Sequence, residues 1–106
     1  MSWVLILVGG VFETVWALAL KKSDGLTNAG PSVLFAVALV ASMAFLALGL
    51  RGVAVGPGYA VWTGTGAVGA ALAAMVLFGE PATAARIAPI ALIAAGIVWL
   101  ALGEGA

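Results

Sequence analysis

The chain of 106 residues has no cysteine and no histidine, and it has few charged residues. Without cysteine, it can form neither disulfides nor thiolate metal sites. Without histidine, proton transfer near neutral pH must use a carboxylate, a lysine or a tyrosine. The 4 basic and 4 acidic residues give a net charge of zero, which offers no electrostatic attraction to nucleic acid. We therefore expect no nucleic-acid partner, no metal site and no cofactor.

Apolar residues dominate the composition. They make up 65% of the chain and charged residues 8%, against about 45–50% and about 25% in soluble proteins. A soluble domain of this length could not bury so much apolar surface, because small domains have a large surface for their volume. Lipid is therefore the expected solvent for most of a single domain, residues 1–106.

Four apolar runs are each long enough to cross a bilayer as a helix. The connectors between them are short, so neighbouring helices should be antiparallel. The sequence thus predicts an all-α membrane protein with four transmembrane helices in up-down order. The predicted spans are Trp3–Leu20, Pro31–Leu50, Pro57–Phe78 and Ala84–Gly103.

The basic residues predict only a weak preference for one orientation in the membrane. Lys21, Lys22 and Arg86 would lie on one side and Arg51 on the other. Because the excess of lysine and arginine in short loops sets orientation, so small a difference allows the chain to insert both ways.

Glu13 is the one charged residue between Met1 and Leu20, near the middle of the first span. A charge at this depth costs roughly 2.5–3.5 kcal/mol on insertion scales. Because burial disfavours the ionised form of a carboxyl group, Glu13 would hold a proton until a cation displaces it. The position therefore predicts proton/cation exchange. The alternatives are a structural carboxyl bonded between helices, or a first run that does not fully span and leaves Glu13 in water.

The residues that share a helical face with Glu13 suit a compact organic cation. Gly9, Gly10 and Ala17 are small and leave room beside the carboxylate, and Trp16 places an indole next to it. A carboxylate beside an aromatic ring attracts a cation through charge pairing and cation–π contact. The alternative for Trp16 is an indole that packs or faces lipid.

Three further polar or aromatic residues are candidates for the same site. Tyr59 and Trp62 lie three apart, on one face of the third span, with Gly66 one turn further. Tyr59 alternatively belongs to the aromatic belt at the membrane surface. Ser42 is the one hydroxyl in the interior of the second span, and it would either bond the backbone four residues back or orient Glu13.

The stretch GTGAVG matches the dinucleotide-binding pattern, but it lies inside an apolar span without the preceding strand that this motif needs. Small residues let membrane helices approach closely. We therefore interpret Gly64, Gly66 and Gly69 as positions of helix packing or a hinge.

The fourth span has an apolar, partly small face that includes Leu92 and Gly96. Such a face favours contact between helices of two subunits. Four helices with one carboxylate form a poor enclosed pathway, whereas two copies would bring two Glu13 side chains together. We therefore expect a homodimer.

The whole chain resembles the small multidrug resistance family of transporters, and within it the guanidinium exporter branch. The Glu-x-x-Trp-Ala arrangement at 13–17 is typical of that branch. The resemblance rests on GGVFETVWALALKKSDGLT at 9–27, GPGYAVWTGTGAVGA at 56–70 and FGEP at 78–81.

The resemblance implies a transporter rather than an enzyme. It implies an antiparallel homodimer of dual-topology subunits, in the inner (plasma) membrane of a prokaryote, that exports guanidinium ion in exchange for protons by alternating access. Both copies of Glu13 would bind substrate and protons in competition, and Gly96 would contribute to the dimer contact. The supporting positions that match the family's binding site are Gly10, Trp16, Ser42, Tyr59 and Trp62.

Two substrate classes follow from the chemistry of this site. Guanidinium is planar, and its N–H donors form a fork that matches a carboxylate, so small substituted guanidiniums are further candidates. The alternative is a broader multidrug exporter of quaternary ammonium and aromatic cations, which need a wider aromatic pocket. Trp16 narrows the site, and this favours the smaller ion.

Overall fold

The computed structural model describes all 106 residues and contains four α-helices. Each helix is long and apolar enough to cross a membrane. This confirms the prediction of an all-α membrane protein with four spanning helices, whose ends lie within about two residues of the predicted ones. The helices are α1 Ser2–Lys22, α2 Ala29–Gly49, α3 Val55–Leu77 and α4 Ala84–Gly103.

Helix α1 is the centre of the arrangement. It packs against both α2 and α3, whereas α4 packs against α3. Ile6 lies near Gly58, and Gly10 lies near Thr65, so α1 and α3 run in the same direction. The chain forms a slab of 40 × 33 × 16 Å.

A small apolar core lies toward the end of the bundle at which α1 begins. It consists of Ile6, Leu46, Val61 and Trp62, all nearly inaccessible. Most other large apolar side chains are exposed on the outside of the slab. This distribution fits a chain surrounded by lipid, since lipid removes the need to hide apolar surface.

The connector between α1 and α2 is a tight turn held by Ser23. The Ser23 hydroxyl donates to the Leu20 carbonyl at 2.6 Å and accepts from the Leu26 N–H at 3.0 Å. Asp24, Gly25 and Leu26 all have positive φ values, of 50°, 72° and 69°. The chain thus reverses direction within a few residues, which makes α1 and α2 antiparallel.

The connector between α3 and α4 carries an exposed ion pair. Arg86 donates to the Glu80 carboxylate at 3.1 Å. Pro89 lies inside α4, and the helix continues through it to Gly103. The α1–α2 and α3–α4 connectors lie at one end of the bundle, and the α2–α3 connector and both termini lie at the other.

Candidate functional site

Glu13 lies in the middle of α1, and its side chain packs against α3. A Cβ added at Gly66 would overlap the Glu13 carboxylate, so the missing side chain at Gly66 makes room for it. The Oε1 atom of Glu13 is buried and has no hydrogen-bond partner in the chain. A buried polar atom without a partner is unfavourable. This oxygen is therefore a place where a proton or a cationic donor would be stabilised.

Helices α1 and α3 approach each other closely beside Glu13. A Cβ on Gly10 would lie 2.7 Å from the Cβ of Thr65, which is too close for two carbon atoms. The Thr14 hydroxyl donates to the Gly66 carbonyl at 3.1 Å. The contact between the two helices is formed by small and polar residues: Gly10, Glu13 and Thr14 of α1, and Thr65, Gly66 and Gly69 of α3.

Ser42 joins α2 to both α1 and α3. Its buried hydroxyl donates to the Gly9 carbonyl at 2.6 Å and accepts from the Trp62 indole N–H at 3.1 Å. These partners differ from both predicted ones, which were the backbone of α2 and Glu13. The reason is geometric: Glu13 faces α3, whereas Gly9 lacks a side chain and lets the Ser42 hydroxyl reach the backbone of α1. A role of Ser42 in the substrate site remains a prediction.

Trp16 lies one turn from Glu13, and its indole contacts α2. The ring packs edge-on against Phe35, with 5.9 Å between ring centroids and 79° between their planes. Its Nε1 atom is buried and makes no hydrogen bond. The indole is therefore held by an aromatic contact and keeps a free N–H donor one helical turn from the carboxylate.

Tyr59 and Trp62 form an aromatic pair on α3, as their spacing predicted. Their ring centroids lie 5.4 Å apart. Trp62 is 3% exposed and Tyr59 is 52% exposed, so the pair extends from the core to the surface of the slab. Since the Trp62 N–H is bonded to Ser42, Trp62 can offer a ligand its ring but not that donor.

The three glycines of the GTGAVG stretch lie at contacts with two different helices. A Cβ on Gly64 would overlap the Ile97 side chain of α4, and a Cβ on Gly69 would overlap the Thr14 hydroxyl of α1. Gly66, as described above, accommodates Glu13. One face of α3 thus receives α1, and another receives α4. A hinge at these positions remains a prediction.

Sequence reasoning missed Thr14 and Thr65. Thr14 bonds α3, and the Thr65 side chain packs against Gly10. The available signal was their type and spacing, since threonine is enriched at contacts between membrane helices and Thr14 follows Gly10 by one helical turn. Spacing alone does not tell which helix such a face contacts.

Leu92 and Gly96 of α4 face outward. Leu92 is 75% exposed, and Gly96 has no atom near the position of an added Cβ. No residue of α4 is buried within the chain. The helix is therefore free to pack against another molecule, and the predicted role of these two residues in a dimer contact remains a prediction.

The chain by itself does not enclose a cavity around Glu13. One cavity of about 480 Å³ lies at the end where the termini meet, between Trp3, Val53 and Glu104 among others. A second, of about 230 Å³, is wholly apolar and lies beside Val61 and Ile97. Neither includes Glu13, so a closed substrate site at this carboxylate would need further walls.

The chain is similar in sequence to known proteins over nearly its whole length. Residues 1–93 match the family model described as Small Multidrug Resistance protein. The chain is 47% identical over 102 residues to a guanidinium exporter of Escherichia coli strain K12, which covers 96% of this chain and 97% of that protein. It is 46% identical, with the same coverage, to guanidinium exporters of Citrobacter freundii and Salmonella typhimurium.

Proposed function

This chain belongs to the small multidrug resistance family, and we propose that it exports guanidinium ion in exchange for protons. The exchange takes place at Glu13, with small substituted guanidiniums as additional substrates. Since the relatives are bacterial, the proposed location is the inner (plasma) membrane of a prokaryote. The observation that carries the proposal is identity of nearly half the residues, along the whole chain, with proteins named guanidinium exporter.

The carboxylate supports this choice of substrate. Guanidinium can donate two parallel hydrogen bonds to the two oxygens of Glu13, of which Oε1 has no protein partner. Trp16, one helical turn from Glu13, would offer a ring face to the cation, and such cation–π attraction contributes about 0.5–2 kcal/mol. A quaternary ammonium ion has no N–H to donate, so it would leave the buried oxygen without a hydrogen bond.

A proton and a guanidinium ion cannot occupy the same carboxylate at once. When Glu13 is protonated it loses the charge that attracts a cation, and when guanidinium binds it displaces the proton. This competition couples export of the cation to entry of protons, provided that Glu13 faces the two sides of the membrane in turn. A group that faced both sides at once would let protons leak.

The working unit is proposed to be an antiparallel homodimer with both Glu13 side chains at its centre. The slab is 16 Å thick, and neither cavity of the single chain includes Glu13. A second copy would supply the missing walls. The outward face of α4, with Leu92 and Gly96, is the proposed contact between the copies.

Proton release tests the exchange directly. Purified protein in detergent, in weak buffer near neutral pH, is mixed with guanidinium chloride, and released protons are counted with a pH-sensitive dye. We expect release that saturates with guanidinium and is lost in Glu13→Gln. Glu104→Gln is the matched control, because Glu104 follows the end of α4 and lies outside the spans.

The same assay with tetraethylammonium distinguishes the two substrate classes. Release with the quaternary ion but not with guanidinium would replace our choice with the broader multidrug exporter. Release with neither ion would remove the exchange mechanism. Release that persists in Glu13→Gln would show that another group carries the proton.

A further inference from the structure

The hydroxyl of Thr14 bridges α1 and α3 next to the carboxylate. It donates to the Gly66 carbonyl of α3 at 3.1 Å, and it lies at the longer distance of 3.5 Å from the Gly10 carbonyl of its own helix. Threonine in a membrane helix commonly bonds its own backbone. Here the shorter bond is the one between helices, so this side chain links two elements of the site.

Glu13 and Thr14 both contact Gly66 of α3. Glu13 packs where Gly66 lacks a side chain, and the Thr14 hydroxyl meets the carbonyl of the same residue. Gly69, one turn further, lacks a side chain where Thr14 lies. A change in the distance between the helices at Gly66 would therefore move the carboxylate and the hydroxyl together.

We propose that Thr14 is a positioning residue, whose hydrogen bond to Gly66 fixes α3 against α1 so that the Glu13 carboxylate is held in its cation-binding position. The inference rests on the function proposed above. Thr14 does not itself touch the cation. It acts through the backbone of α3, by donating to the Gly66 carbonyl.

Two substitutions at position 14 separate the hydroxyl from the shape of the side chain. Thr14→Val keeps the branched shape and removes the donor, and Thr14→Ser keeps the donor. In reconstituted vesicles we expect Thr14→Val to raise the KM for guanidinium about three- to tenfold, the range for loss of one interhelical hydrogen bond, and to change the maximal rate by less than about twofold. Thr14→Ser should retain the original KM.

Thr63→Val is the matched control. It makes the same exchange within a spanning helix, at a hydroxyl that has no hydrogen-bond partner. Its KM for guanidinium should stay within about twofold of that of the unaltered chain, because no hydrogen bond between helices is lost.

Gly69→Ala should produce the same defect as Thr14→Val by a different route, because its added Cβ would displace the Thr14 hydroxyl from the α3 side. It should raise the KM as Thr14→Val does.

A measurement without guanidinium separates this proposal from the proposed function. The apolar carbodiimide dicyclohexylcarbodiimide modifies intramembrane carboxyl groups, and mass spectrometry reports the rate at Glu13. If Thr14 positions Glu13, Thr14→Val should react at a clearly different rate from the unaltered chain, and Thr14→Ser at the same rate. If the unaltered chain does not transport guanidinium, the proposed function fails and these rates alone decide the role of Thr14.

Equal rates and equal KM values in Thr14→Val and the unaltered chain would overturn the inference. So would a Thr14→Ser variant as impaired as Thr14→Val, because then shape and not the hydroxyl would matter. A fall in thermal stability of Thr14→Val with no change in KM or carbodiimide rate would also overturn it, leaving Thr14 as a packing residue.

Discussion

At the scale of single residues, the hydroxyls of Ser42 and Thr14 both form hydrogen bonds between helices. Ser42 links α2 to Gly9 and Trp62, and Thr14 links α1 to α3. In lipid there is no apolar driving force between helices, so such hydrogen bonds and the close packing around them hold the bundle together. Along α1, Glu13 lies between Gly9 and Thr14, the two residues at which these hydrogen bonds are made.

Removing the Ser42 hydroxyl should destabilise the bundle. Ser42→Ala leaves the buried Trp62 N–H without an acceptor, and an unpaired buried group costs about 1–3 kcal/mol. The loss can be measured as a shift in unfolding by sodium dodecyl sulfate in mixed micelles, followed by circular dichroism. Ser32→Ala is the control, because the Ser32 hydroxyl makes an exposed bond within one turn of α2. Equal shifts for the two variants would contradict the bridging role of Ser42.

At the scale of elements, α3 is shaped to receive its neighbours by where it lacks side chains. Gly66 and Gly69 admit α1, whereas Gly64 admits Ile97 of α4. Because glycine lowers the stability of an isolated helix by roughly 1 kcal/mol relative to alanine, these residues stabilise the structure only through the close approach they permit. The stretch GTGAVG matches the dinucleotide-binding pattern because its three glycines lie where neighbouring helices pack closely.

One added methyl group at Gly66 should displace Glu13. In Gly66→Ala the new Cβ would overlap the carboxylate, and overpacking of this kind costs on the order of 1–3 kcal/mol. We expect guanidinium binding, measured by tryptophan fluorescence or calorimetry, to weaken by about tenfold or more.

Gly56→Ala is the matched control on the same helix, since no atom lies within 4 Å of the added Cβ. It should bind guanidinium as the unaltered chain does. If Gly66→Ala bound as tightly as Gly56→Ala, the packing of Glu13 against α3 would not matter for the site.

At the scale of the whole molecule, the single chain does not enclose a cavity at its own carboxylate. It is 16 Å thick, and none of its cavities includes Glu13. No residue of α4 is buried within the chain. These features favour pairing with a second copy. An antiparallel pair additionally requires that the chain insert in both orientations.

Cysteine labelling can measure orientation directly, because the natural chain has no cysteine. Ala106→Cys and Thr27→Cys place thiols at opposite ends of the bundle. Because the two sides differ by only two basic residues, we expect an impermeant maleimide to label about half of each variant from outside intact cells. Labelling of only one variant would contradict the antiparallel dimer.

The surrounding medium, the number of spans and the central ionisable group could all be predicted from the amino-acid sequence. Composition excludes a soluble fold, the lengths of the apolar runs set four helices, and Glu13 is the one charge in the interior of a span. These conclusions depend on local properties of the chain, namely hydrophobicity and helical spacing, so no tertiary contact was needed to reach them.

Which side chains contact one another could not be predicted from the sequence and depends on how the helices pack. Helical spacing placed Glu13 and Trp16 on one face, but in the structure Glu13 packs on α3 and Trp16 on α2. The hydrogen-bond partners of Ser42 and Thr14 on other helices likewise follow from the tertiary structure. A helical face is defined by its own sequence, whereas its neighbour depends on how closely other backbones approach, and here glycines on two different helices set that approach.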